Sequence, residues 1–214
     1  MTATPTTPAS TRHLHQAQLE ELLLQALETE LGGLEVYAAA IECAVNDDLR
    51  TEWQSYLEET RRHHEVLLAM FELLKLDPAQ RSPGREVVAH IGAALVQAIE
   101  MARASGDAEA AQLVAGECVV LAETKDHQNW ELIGLLGEKG DGALARLLAD
   151  AYEDVGKDER HHLLHTTGWT RELWIQSLGL PAVLPPPEEV RHVETKIGAS
   201  RAEQSRDSML RRKH

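Results

Sequence analysis

Four long stretches of this chain repeat apolar residues at intervals of three and four, the spacing of one face of an α-helix, and each of those faces is interrupted near its middle by an acid. On the first stretch the face reads Leu23, Leu27, Glu30, Leu34, Tyr37, Ile41, and on the second it reads Tyr56, Glu59, His63, Val66, Met70, Leu73. Further on, Val120, Glu123, His127 and Trp130 line one face, while Leu148, Tyr152, Val155, Glu159, His162 and Thr166 line another. Carboxylates are almost never fully buried without a partner, because an unpaired charge in an apolar interior is strongly disfavoured. Four acids on core-facing stripes therefore require compensation. Four carboxylates and two imidazoles converging from four helices are the ligand set of a carboxylate-bridged dinuclear site. Carboxylate oxygens with imidazole nitrogens suit two iron ions, with manganese or zinc as alternatives. The expected ligands are Glu30, Glu59, His63, Glu123, Glu159 and His162, with Glu59 and Glu159 bridging.

The helix pattern sets the organisation of the chain. Helices are predicted over about 15–45, 47–76, 86–104, 107–137 and 141–178, broken by "NDD", "LDPAQRSPG", "SGD", "GEKGDG" and "GLP". Four of these are long enough to form a bundle, and the shorter third one sits where a crossover between the second and the next bundle helix would pass. The domain is thus expected over residues 15–178, between an N-terminal tail (1–14) read as disordered and a C-terminal tail (179–214) read as extended or disordered.

Composition supports an all-α fold: hydrophobic residues make up 43% of the chain but aromatics only 4%, and the apolar content is mostly Leu, Ala and Val. A net charge of −14 repels nucleic acid and anionic membrane and raises the local concentration of cations. The basic tip Arg211-Arg212-Lys213-His214 reads as solvated. Cys43 and Cys118 form no CxxC pair and read as buried, inert thiols. The N-terminal stretch lacks the apolar core of a secretory leader, and no run reaches the roughly eighteen apolar residues of a membrane helix. A cytoplasmic protein with no nucleic-acid or membrane partner is expected.

Other charged residues near the site fall off the stripes. His64 and His161 do so, and Glu58, Glu65, Arg61, Arg62 and Arg160 read as exposed partners of one another one helical turn apart. Tyr37 and Trp130 each follow a stripe acid by seven residues, as core aromatics or as groups beside the metals. "ETKDH" mirrors "ETRRH", so His127 is an alternative ligand, Asp126 another, and Glu117 a third if the helix is rotated.

The segments "ETELGGLEVYAAAIECAVNDDLRTEWQSYLEETRRHHEVL", "GREVVAHIGAALVQAIEMA" and "ELIGLLGEKGDGALARLLADAYEDVGKDERHHLL" resemble the ferritin-like superfamily and, within it, the YciF-like bacterial stress proteins, over about residues 20–170. The resemblance implies a ferritin-like four-helix bundle with an extra short crossover helix. It further implies a cytoplasmic homodimer that binds two metal ions and works with O2 or peroxide in stress or iron chemistry. Glu30, Glu59, Glu123 and Glu159 fall at the ligand-bearing positions. The chain departs from the family's pattern at the second helix, where His63 follows Glu59 by four places instead of three and Arg62 stands where the ligand would be.

Overall fold

The computed structural model describes residues 15–212, so the expected N-terminal tail lies outside the described residues. The described part is all-α: α1 (Gln16–Cys43), α2 (Asp47–Leu74), α3 (Pro83–Ala104), α4 (Ala108–Lys139), α5 (Gly142–Ser177), α6 (Pro187–Val190), α7 (Lys196–Gln204) and α8 (Arg206–Arg212), with no strand among the described residues. The helix ends follow local chemistry. Asn46, Ser82 and Asp107 each cap the helix that follows by accepting from a backbone N–H in its first turn, and Pro83 occupies the first position of α3.

Two apolar clusters divide the interior lengthwise. One gathers Val36, Tyr37, Leu49, Trp53, Ala115, Val119, Trp169 and Leu173, and the other Leu23, Leu27, Leu67, Met70, Phe71, Trp130, Ile133, Leu148 and Val155. Their order along the chain fixes the directions of the helices. α1 and α5 run from the second cluster toward the first, whereas α2 and α4 run from the first toward the second. α3 lies between α2 and α4 in sequence and returns the chain to the first cluster, into which it inserts Ile99 while packing on α1 and α4. α4 packs most extensively along α5, and α1 packs along α2, α3 and α4. α4 approaches α5 closely at Gly137, where a Cβ would meet the backbone N of Ala149 at 2.6 Å. α2 packs less extensively on α5.

By length and composition α3 is a helix apolar enough to cross a membrane, with mean hydropathy 1.3, although no unbroken apolar run of that length was expected. Glu86, His90, Gln97 and Glu100 interrupt it and are exposed, as are Val87, Ile91 and Met101 on its outer side.

The C-terminal segment corrects the expected extended or disordered tail at 179–214. Through Arg212 it forms three short helices and a return across α5, burying Val183, Pro187, Glu188, Val193 and Ala202. Glu172 on α5, fully buried, accepts the Val183 N–H at 2.8 Å and the Arg206 Nε at 2.9 and 3.0 Å, while Arg171 holds Glu188 through two bonds of 2.8 and 2.9 Å. Ion pairs between distant positions leave no periodic trace in a sequence, which is why apolar spacing alone did not reveal this arm. Glu172→Ala leaves the half-buried Arg206 Nε–H and the Val183 backbone N–H without their acceptor, while Arg171 keeps Glu188. The expected loss is about 3 kcal/mol in thermal or urea unfolding, with limited proteolysis of the arm well before α1–α5 are cut.

Candidate metal centre

Between the two apolar clusters lies a polar layer in which α1 places Glu30, α2 places Thr60 and His63, α4 places Glu123 and Asp126, and α5 places Glu159 and His162. Side-chain exposure at Glu30, His63, Glu159 and His162 is no more than 1%, and Glu123 and Asp126 are buried as well. Two triads can be drawn in which one donor atom from each residue lies within 4.8 Å of the others: Glu30, His63 and Glu159, and Glu123, Glu159 and His162. Glu159 belongs to both. Buried His/Glu clusters of this kind could hold metal ions.

Hydrogen bonds fix the outer atom of Glu30, Glu123, His63 and His162 and leave the inner one free. Glu30 accepts the Trp130 Nε1–H on Oε1 at 2.7 Å, and Glu123 accepts the Tyr37 O–H on Oε1 at 2.7 Å. The histidines are held across the α2–α5 wall: His162 Nε2 lies 2.6 Å from Glu59 Oε2, and His63 Nε2 lies 3.4 Å from Asp158 Oδ2. Asp158 is in turn paired with Arg62. A carboxylate on the far ring nitrogen orients a histidine and sets its tautomer, as in metal sites where the near nitrogen is the ligand. The near atoms have no hydrogen-bond partner. Glu30 Oε2, His63 Nδ1, Glu123 Oε2, Asp126 Oδ1, Glu159 Oε2 and His162 Nδ1 are all buried without a hydrogen bond, although His63 Nδ1 comes within 2.9 Å of Glu159 Oε1 and His162 Nδ1 within 3.7 Å of Glu123 Oε2, outside hydrogen-bonding geometry. Buried polar atoms are normally satisfied. Six orphaned donors on four converging helices, all of ligand type, fit a pair of divalent cations.

The electrostatics agree with that fit. Burial, then the charges of Asp126 and Glu159, hold the Glu30 carboxyl well above its usual range; burial, then Glu159 and Glu123, do the same to Asp126, and burial, then Glu123, to Glu159. Burial pulls His162 down, but the Glu59 hydrogen bond and the charges of Glu123 and Glu159 outweigh it and leave the imidazole above its ordinary value.

The structure therefore brings together five of the six expected ligands, Glu30, His63, Glu123, Glu159 and His162, and sets the sixth apart. Glu59, with a side chain 30% exposed, belongs to neither triad and contacts the outer nitrogen of His162. The buried register of α2 is Leu49, Trp53, Tyr56, Thr60, His63, Leu67, Met70, which puts Thr60 inward, turns Leu73 out and leaves Glu59 and Val66 half-buried at its edge. Trp53 and Leu49 carried the signal: Thr60 lies seven residues after the one and eleven after the other, close to two and three whole turns, whereas Glu59 falls one residue short of both. The fourth buried carboxylate is instead Asp126, three residues after Glu123 and so on the same helical face. His127 is buried but turns to Glu131 on its own helix, at 3.1 Å, and Glu117 is exposed and accepts the Trp174 Nε1–H. Asp158, unnoticed in the sequence, matches Glu59 in role.

The raised carboxyls have a consequence for the metal-free protein. A group whose pKa is higher folded than unfolded contributes stability that is present below its unfolded pKa and is lost as pH rises through its folded one. For Glu30, Asp126 and Glu159 that loss begins at about pH 4 and continues upward. The metal-free parent should therefore lose melting temperature relative to a Glu30→Gln/Asp126→Asn variant as pH rises from about 5 to 8, read by calorimetry in the presence of a chelator. A parent-to-variant difference independent of pH would contradict this assignment. Compared with protein-family models, curated proteins and solved structures, the chain finds no match in any of the three, and its centre is read from its own geometry.

Proposed function

We propose that the protein is a ferritin-like four-helix bundle, α1, α2, α4 and α5, with α3 as the crossover helix, that holds two iron ions and acts in iron handling or in oxygen and peroxide stress chemistry. The helix directions support the architecture, since α2 and α4 run the same way and need a long return connection between them. The observation that carries the function is the set of six buried, unpartnered donor atoms on Glu30, His63, Glu123, Asp126, Glu159 and His162. Four carboxylates also match the charge of two divalent cations, and their mixture with imidazole admits manganese or zinc in place of iron. The relationship to the YciF-like proteins and a homodimeric state belong to the same proposal, the latter to be read by sedimentation.

Bound as ferrous ions, such a pair supplies two electrons to O2 or peroxide. The chain's part is positional. Glu159 stands in both triads and would tie the two ions together, while Glu30 and Asp126 face one side and Glu123 the other. Trp130 and Tyr37 hold Glu30 and Glu123 by their outer oxygens, and Asp158 and Glu59 hold the two imidazoles with Nδ1 inward. Glu59 and Asp158, with side chains 30% and 26% exposed, mark the α2–α5 wall as the side nearest solvent. A metal-free structural bundle is the rival reading, and the orphaned donors speak against it. A substrate-specific oxygenase needs an apolar pocket at the metals, whereas the grooves of about 1030 and 520 Å³ lie on outer surfaces of α4 and α5 and are lined by none of the six donors.

Two outcomes test the reading. Ferrous-loaded protein should be oxidised by peroxide faster than free ferrous ion in stopped flow, and Glu159→Gln should remove that advantage; a variant as fast as the parent at equal loading would end the role of Glu159. Glu59→Gln and Asp158→Asn should each weaken metal binding about 10- to 100-fold, the range for carboxylates that orient a histidine ligand, while Glu58→Gln, on the exposed side of α2, should leave it unchanged in a competitive chelator titration.

A further inference from the structure

We propose that His161, His165 and Glu189 form a third cation site, separate from the centre, that fastens the C-terminal arm to α5. The three residues offer donor atoms that all lie within 4.8 Å of one another, and none of them is a donor to the centre. His161 and His165 stand one turn apart on α5 with their rings stacked at 3.6 Å, and Glu189 reaches them from α6. The side chain of His165 is fully buried.

His165 faces two acceptors at once. Its Nδ1 is 2.6 Å from Glu189 Oε2 and its Nε2 is 2.8 Å from the carbonyl oxygen of Val193, and both of these atoms are acceptors. A neutral imidazole has one N–H and can satisfy one of them. With Nε2–H donated to Val193, the Nδ1 lone pair faces a carboxylate oxygen, and a cation bound by both atoms from the side of His161 turns that repulsion into shared coordination. A backbone carbonyl on the far nitrogen is also the partner that metal-bound histidines commonly have. His161, stacked on the same side, adds a second imidazole. Two imidazoles and one carboxylate suit Zn²⁺ or another first-row divalent ion, with a position left for water. Half-buried His161 and Glu189 give solvent access for exchange. Since α5 supplies two ligands and the arm supplies the third together with Val193, occupancy and docking of the arm around residues 189–193 are one equilibrium.

The competing account is an imidazolium at His165 paired with Glu189 and no ion, and zinc separates the two. Titration of the metal-free full-length chain with Zn²⁺, read by calorimetry and by elemental analysis after gel filtration, should show one ion more per chain in the parent than in Glu189→Gln. His161→Ala leaves the contacts of His165 to Glu189 and Val193 in place and should lose the same ion. Glu159→Gln should lose ions of the centre and keep this one. Trypsin cleavage after Arg191, exposed beside the site, should slow about tenfold at a zinc concentration about ten times Kd in the parent and in Glu159→Gln, but not in Glu189→Gln. Equal zinc stoichiometry in the parent, Glu189→Gln and His161→Ala would overturn the site and establish the imidazolium. A parent that binds a single ion, lost in Glu189→Gln and kept in Glu159→Gln, would uphold this site and remove the dinuclear centre instead.

Discussion

Glu30, Glu123, Asp126 and Glu159 are buried in one layer of the helical interior, and most of the arrangement around them answers the difficulty this creates. Four like charges at close range in a medium of low polarisability repel one another and lose their hydration. Protonation or cations must therefore supply positive charge inside, and the rise of the Glu30, Asp126 and Glu159 carboxyls shows how far the chain alone leans on protons. Apolar clusters on both sides of the layer, anchored by Trp53 and Trp169 at one end and by Phe71 and Trp130 at the other, keep the helices together despite that repulsion. The layer is thus held in place by packing it does not contribute to.

Its internal order comes from partners exchanged between the two halves of the chain. Glu30 on α1 is held by Trp130 on α4, and Glu123 on α4 is held by Tyr37 on α1. His63 on α2 meets Asp158 on α5, and His162 on α5 meets Glu59 on α2. Each aromatic follows its own helix's acid by seven residues, and each outer acid precedes its own helix's histidine by four. The pair α1–α2 and the pair α4–α5 therefore present the same functional pattern, each completing the other. Removing one member of a cross-pair releases an inner ligand on the opposite half.

The part of this legible in the sequence was the part written in helical period. Five helices, the inward acids Glu30, Glu123 and Glu159, and both histidines follow from three/four spacing. The seven-residue interval to Tyr37 and Trp130 was visible, but which acid each would hold was not, since the bond crosses to the other half of the bundle. Glu59 competes with Thr60 because a step of three or of four back from His63 gives an equally good local stripe, and only the longer register through Trp53 and Leu49 distinguishes them. Asp126 was shadowed by its neighbour His127, the more familiar ligand type, although it lies three residues from Glu123. The arm was hidden for a different reason, its attachment being made by Glu172, Arg171, Glu188 and Arg206 and not by an apolar stripe.

The two halves are not equivalent where it counts chemically. Thr60 occupies on α2 the place, three residues before the histidine, that Glu159 occupies on α5, and Gly33 occupies on α1 the place, three residues after the acid, that Asp126 occupies on α4. Gly33 and Thr60 pack against each other, a Cβ at Gly33 meeting Thr60 Cγ2 at 3.4 Å, so the α1–α2 half closes over small side chains where the α4–α5 half projects two carboxylates. Three of the four buried acids therefore come from α4 and α5, the helices in most extensive contact. A symmetric centre would have two acids shared between its triads; this one has Glu159 alone. That concentration puts most of the charge of the layer on the α4–α5 pair and leaves α1 to deliver one acid, Glu30, and α2 one imidazole, His63, across the interior. The α2–α5 seam, where packing is least extensive and Glu59 and Asp158 reach solvent, is then the side on which the layer lies nearest to water.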